Sequence, residues 1–199
     1  MRLASIRSIV AAALVLFCLP TAAVRAAELA ESSIGDANAP VTIIEYSSLT
    51  CPHCAQFHAK TLPELKKRYL DTGKVRLVLR DFPLDQMALK AAVIAHCAGP
   101  ERRPQFIDVF FAQQASWSRA SDPVQALKQL AQLGGLSAAK ADACLADKSL
   151  EDAVLQARLE GQQKFDISST PTFIIGGKAY PGDQSIEQVA AIVDPLLGQ

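Results

Sequence analysis

Two cysteines, Cys51 and Cys54, sit where a strand-like run gives way to a helix-like run. That junction confines the chain to folds in which a strand feeds straight into a helix, with both thiols at the turn. The run before it, Val41-Thr42-Ile43-Ile44-Glu45-Tyr46, is apolar and β-branched and reads as a buried strand. The segment Ala55 to Tyr69 reads as a helix. A C-x-x-C pair in this setting reads as a redox pair. Cys51 falls at the helix start, where unpaired backbone N–H groups and the positive end of the helix dipole favour a thiolate. Pro52 suits the first helical position, because its missing N–H would have had no partner there. His53, when protonated, can add positive charge beside the sulfur.

The competing reading of a C-x-x-C is half of a structural zinc site. Such sites need about four ligands, usually from a second C-x-x-C or a paired His motif. Neither follows here; Cys97 and Cys144 stand alone and far apart. A second feature lies in Ser168-Ser169-Thr170-Pro171-Thr172-Phe173-Ile174-Ile175. A proline after Thr170, entering a β-branched and aromatic run, is a candidate cis bond. An ordinary trans proline entering an edge strand is the alternative.

These residues carry a resemblance. The chain resembles the DsbA-like thiol:disulfide oxidoreductases of the bacterial cell envelope, from Ile34-Gly35 to the C-terminus. The specific parts are Ala39 to Tyr46, the Cys51-Pro52-His53-Cys54 centre, and Thr170-Pro171-Thr172-Phe173 followed by Gly176-Gly177. The Pro-His dipeptide is the one typical of the oxidising members. The resemblance implies a cis Pro171 packed against the sulfurs, and a buried acid at Glu45, six residues before Cys51. Thr170 stands where the best-known oxidase has an apolar residue. It also implies a membrane reoxidant of the DsbB type as partner.

The N-terminus is expected to be a secretory leader, residues 1–26. A short basic stretch, Met1 to Arg7, precedes an 11-residue apolar run, Ile9 to Leu19, and Val24-Arg25-Ala26 is the cleavage candidate. The run is shorter than the roughly 20 residues that span a bilayer. Without the leader, basic residues fall from 20 to 17 against 20 acids. A mildly acidic chain lacks the basic footprint of nucleic-acid binding. Four cysteines remain, an even number that suits an oxidising compartment, here the periplasm.

Beyond the first helix, Lys74 to Arg80 reads as a strand, and Pro63 is expected to kink the helix near Ala59 to Lys60. For about 80 residues the pattern is then helical. Asp85 caps a largely apolar helix to His96, stopped by Gly99-Pro100. Phe106, Val109 and Phe110, with Trp117 a candidate extension, mark a second. Asp122-Pro123 opens a third, Ser137 a fourth, and Ser149 a fifth running towards Lys164. Strands return at Thr172, Gly176-Gly177 turns the chain, and Ser185 to Leu197 closes as a helix. The expected fold is α/β: a thioredoxin-like unit (27–84 and 166–199) with an inserted all-helical subdomain (85–165).

In the expected chemistry Cys51 is the nucleophile and Cys54 resolves the mixed disulfide. Glu45 is a proton acceptor or donor for Cys54, or else a strand-edge acid facing water. Thr170 and Pro171 offer backbone to an extended peptide, which suits reduced, unfolded substrates of many sequences. Cys97 and Cys144 are left to each other once the leader takes Cys18 and Cys51 pairs with Cys54. They form a structural disulfide, or stay as two buried thiols. His58 could complete a metal tripod with the two cysteines but reads as a surface residue; His96 reads as structural or exposed. No metal, nucleotide or prosthetic group is expected, and a monomer is. The leading function is oxidation of newly exported proteins. The alternatives are a reductase or isomerase, and a copper or zinc carrier. Only about 14 residues precede Val41 after the leader, too few for the dimerisation domain that isomerases of this family carry.

Overall fold

A computed structural model describes residues 29–198. The leader expected at 1–26 lies outside the described residues. The chain runs through β1 (Ser32–Ile34) and β2 (Val41–Ser47) into α1 (Pro52–Gln56) and α2 (Leu62–Leu65), then β3 (Val75–Asp81). Next come α3 (Gln86–Cys97), α4 (Arg103–Ala112), α5 (Gln114–Trp117), α6 (Pro123–Leu133), α7 (Ala138–Ala146) and α8 (Lys148–Phe165). The chain closes with β4 (Thr172–Ile175), β5 (Lys178–Pro181) and α9 (Ile186–Leu197). This is the expected α/β architecture with a helical block between β3 and β4.

The sheet order is β1-β3-β2-β4-β5. The β2–β3 pair is parallel and the other three pairs are antiparallel. A parallel pair needs a crossover, and α1 to α2 with its extension supplies it. β2 therefore lies at the centre of the sheet, and its inward residues Val41, Ile43 and Glu45 are buried while Thr42 is exposed. The alternation of side chains along a strand sets that parity. β1, unanticipated, is three residues long, too short to leave a periodic signal.

The helix that begins at Pro52 continues through two π-helical turns, Phe57–Thr61 and Lys66–Leu70. The first lies where Pro63 was expected to kink the helix. Pro63 has no N–H to return to the carbonyl of Ala59, so the hydrogen-bond ladder widens there. The buried side chains of this segment, Phe57, Leu62, Leu65 and Tyr69, pack in the main core with Ile43, Leu77 and Phe173. On α9, Val189 and Val193 join them.

α3 is buried nearly all round, from Ala88 to Ala95, as its apolar composition requires. Its cap is Asp85, whose carboxylate accepts from the Ala88 N–H at 2.8 Å. Asp122, Ser137 and Ser185 cap α6, α7 and α9 as expected. α8 starts earlier than expected: Asp147, not Ser149, is its cap and takes the N–H groups of Ser149 and Leu150. Val109 is exposed rather than part of the apolar face of α4. Cys97 and Cys144 are bonded to each other, with Cα atoms 6.1 Å apart, tying the end of α3 to α7.

One buried polar cluster joins the sheet to this block. The Arg103 guanidinium donates to Asp81 at 2.7 Å and to the Leu79 carbonyl at 3.2 Å. His96 lies 2.7 Å from the other Asp81 oxygen, which gives His96 the structural role. Burial alone would raise the Asp81 carboxyl, but Arg103 and His96 hold it well below the usual range.

Candidate active site

β2 ends at Ser47, and a short turn carries the chain to Cys51, which is the N-cap of α1 in extended conformation (φ −78°, ψ 120°). Pro52 is the first helical residue, as its chemistry favours. The N-cap position sets the two cysteines apart. Cys51 is 6% exposed at the rim of the turn, whereas Cys54 is sealed at 0% inside the first turn. Both are free thiols here.

The Thr170–Pro171 bond is cis and brings its loop over the cysteines. The Cys51 thiol donates to the Thr170 carbonyl at 3.3 Å across a sequence gap of 119 residues. The Thr170 hydroxyl is buried without a hydrogen-bond partner among the described residues, and is free to turn to the Cys51 sulfur once that is a thiolate. The loop is held from behind, where the Gly182 N–H donates to the Pro171 carbonyl at 2.8 Å.

The Cys51 thiol is pulled down to about 5. The largest cause is a hydrogen bond from Cys54; burial opposes it, and the Thr170 side chain and the N–H groups of Cys54 and His53 add to it. Each of these donors stabilises the thiolate over the thiol. Cys54 is pushed far up, first by burial, then by its bond to Cys51 and by the charge of Glu45. One sulfur is thus a thiolate at neutral pH and its neighbour is firmly a thiol. The exposed His53 serves the sulfur through its backbone N–H. A charged ring beside the sulfur was the expectation, and the ring makes no hydrogen bond among the described residues.

Glu45 is fully buried beneath the turn. It does not face water as a strand-edge acid would. Its two carboxylate oxygens lie 3.2 and 3.3 Å from Nε2 of His58. The other ring nitrogen, Nδ1, lies 2.9 Å from Asp108 on α4. His58 is therefore not the surface residue expected of it. Its position four residues after Cys54 puts it on the same, inward helix face. Burial pulls His58 down, but the Glu45 charge and the bonds to Asp108 and Glu45 outweigh it and lift it to about 9. Both ring nitrogens are engaged by carboxylates, so His58 is not available as a third metal ligand beside the cysteines.

Asp108 and Gln114 were not anticipated. The Gln114 amide on α5 donates to the carbonyls of Leu49 and Cys51, each at 2.9 Å. Thr50 donates to the α3 cap, Asp85, at 2.6 Å. The helical block therefore grips the cysteine turn at two points. These contacts span 35 to 65 residues of sequence and leave no local pattern.

The family model described as Thioredoxin matches residues 28–195. Wolbachia pipientis alpha-DsbA1 superposes with a TM-score of 0.78 at 31% identity, over 92% of this chain and 94% of that one. The chain belongs to the thioredoxin family, among its DsbA-like members. A Rickettsia felis protein, named as a candidate protein-disulfide oxidoreductase, is 34% identical over 82% of this chain. The match spans 59% of that relative's length. Bacillus subtilis BdbD shares the fold, with a TM-score of 0.75 at 20% identity.

Proposed function

We propose that this protein is an exported thiol:disulfide oxidoreductase that inserts disulfides into reduced, unfolded envelope proteins. The observation that carries the proposal is the unequal cysteine pair: a rim thiolate at Cys51 over a sealed thiol at Cys54. A stable thiolate favours the reduced form, so the disulfide form is a strong oxidant.

In the oxidised enzyme a substrate thiolate attacks the Cys51 sulfur. The Cys51–Cys54 bond breaks, a Cys51–substrate disulfide forms, and the electron pair leaves on Cys54, which takes up a proton. A second substrate thiolate then attacks the substrate sulfur and releases Cys51 as a thiolate. The substrate leaves oxidised and the enzyme reduced. Cys51 is the better attacked sulfur because it lies at the rim, and the better leaving group because its thiolate is stabilised. The Thr170 carbonyl beside Cys51 can accept a backbone N–H from an extended substrate, which binds without reading side chains. Pro171 shapes that edge, Pro52 starts the helix, and Glu45 exchanges the proton with Cys54.

The protein acts as a monomer in the periplasm after loss of residues 1–26, without a cofactor. Its thioredoxin-like unit (27–84 and 166–199) carries the chemistry, and the insertion (85–165) supports it. A membrane protein of the DsbB type restores the disulfide. The test is trapping. Cys54→Ser protein mixed with a reduced model protein should accumulate mixed disulfides through Cys51, and Cys51→Ser should form none and oxidise nothing. Adducts on Cys54 in the Cys51→Ser protein would reverse the roles. A pair more reducing than glutathione would make it a reductase.

A further inference from the structure

Glu45 can take a proton from Cys54 only while it is a carboxylate, and a carboxylate sealed from water needs a cation beside it. Among the described residues the cation within ion-pair distance is His58. Glu45's strand neighbours are Leu79 on β3 and Phe173 on β4, both apolar. The His58 ring is walled by Phe57 and Phe111, with centroids 5.8 and 4.4 Å away. Its charged neighbours are Glu45 on one side and Asp108 on the other. Asp108 is half exposed and opens onto a groove of about 510 Å³, lined farther out by Lys66, Lys67 and Asp71.

We infer that His58 is the buried cation that keeps Glu45 ionised as the proton acceptor of Cys54, with Asp108 fixing the ring from the solvent side. This rests on the exchange mechanism proposed above. The imidazole touches neither sulfur nor substrate in that scheme, so His58 is a positioning residue. Its elevated pKa of about 9 keeps it charged through neutral pH. The step it serves is the return to the disulfide. The Cys54 sulfur attacks Cys51 in a mixed disulfide, the Cys51–Cys54 bond forms, and the partner leaves with the electron pair. The Cys54 proton passes to Glu45. Lose His58, and the sealed carboxyl holds its own proton and accepts none.

The test uses the full chain with glutathione as the disulfide partner. In His58→Gln, infrared difference spectra against the Glu45→Gln/His58→Gln protein should show a protonated carboxyl at neutral pH. The wild type against Glu45→Gln should show a carboxylate. The closure of the Cys51–glutathione mixed disulfide by Cys54 should slow by about 10²–10⁴-fold at neutral pH, the usual reach of a general base. It should recover as pH rises. His58→Lys, which keeps the charge, should restore both the carboxylate and the rate. Asp108→Asn, at a half-exposed site that tolerates change, should displace the same pH profile in the same direction by less. A Glu45 carboxylate that persists in His58→Gln overturns the assignment. So does a lysine variant that behaves like the glutamine variant, or, should His58→Gln not fold, an Asp108→Asn profile that overlays the wild type. Wild-type protein that never exchanges with glutathione defeats the exchange mechanism instead, and the infrared comparison still decides the ion pair.

Discussion

Gln114 is the side chain whose loss should report most directly on how the helical block serves the cysteines. Its neighbours, the carbonyls of Leu49 and Cys51, are both acceptors, so only the amide nitrogen can face them. Gln114→Ala removes both bonds. The Cys51 carbonyl keeps the N–H of Ala55 at 3.2 Å, whereas the Leu49 carbonyl keeps no protein donor among the described residues. An orphaned buried acceptor costs about 1–3 kcal/mol. Water reaches this half-buried site and offsets part of that, and alanine is a slightly better helix former than glutamine. The expected loss is therefore about 1–2 kcal/mol, or about 2–8 °C in Tm for a chain of this size. Urea unfolding of the reduced protein should show a lower midpoint at unchanged slope. The Cys51 thiolate, followed by its ultraviolet absorbance, should titrate at higher pH, because the anchored carbonyl fixes the turn that aims the N–H groups of His53 and Cys54 at the sulfur. Gln114→Glu should do worse than alanine, since a carboxylate cannot donate and would face two carbonyls. Unchanged stability and an unchanged thiolate midpoint in both variants would refute the reasoning.

Two other expectations follow from the geometry. The thiolate absorbance of the reduced wild type should appear with a midpoint near pH 5. Because the folded thiol lies below its ordinary value of 9.0, its stabilisation of the reduced form is complete above that value and is lost as pH falls through about 5; a midpoint above 7 would contradict the site described here. Replacing both Cys97 and Cys144 by alanine opens a loop with a sequence separation of 47. Chain entropy puts the cost at up to about 4 kcal/mol, seen in thermal unfolding, with thiol exchange at Cys51 nearly unchanged; a large loss of exchange would mean that the bridge also shapes the catalytic turn.

What could be read from the sequence was local. The strand before Cys51, the N-cap placement of that cysteine and the caps Asp85, Asp122, Ser137 and Ser185 are each written within a few residues. β1 was lost because three residues carry no period. Asp147 is masked as a cap by Ser149, two residues on, which is also a good cap residue. Long-range partners left no trace: Asp108 lies 50 residues from His58, and Gln114 lies 63 from Cys51. The inward turn of His58 was legible in principle. A helix that buries Cys54 also buries the residue four positions on, and a buried histidine next to a buried glutamate pairs with it. The frequency of histidine on helix surfaces points the other way, and burial beside Glu45 outweighs it here.

Asp85 does two jobs with one carboxylate. It closes the first turn of α3 through the Ala88 N–H, and it receives the hydroxyl of Thr50, the residue before Cys51. The Cys-Pro-His-Cys tetrapeptide is consequently not a portable unit. Transplanted onto a bare thioredoxin-like sheet, it would keep its helix start but lose both tethers, the Asp85 acceptor below and the Gln114 donor beside it. The same sharing makes the reactive sulfur a gauge of the distant helices. A ligand or a substitution that shifts α3 or α5 by a fraction of an ångström would be felt at Cys51, although it touches neither cysteine.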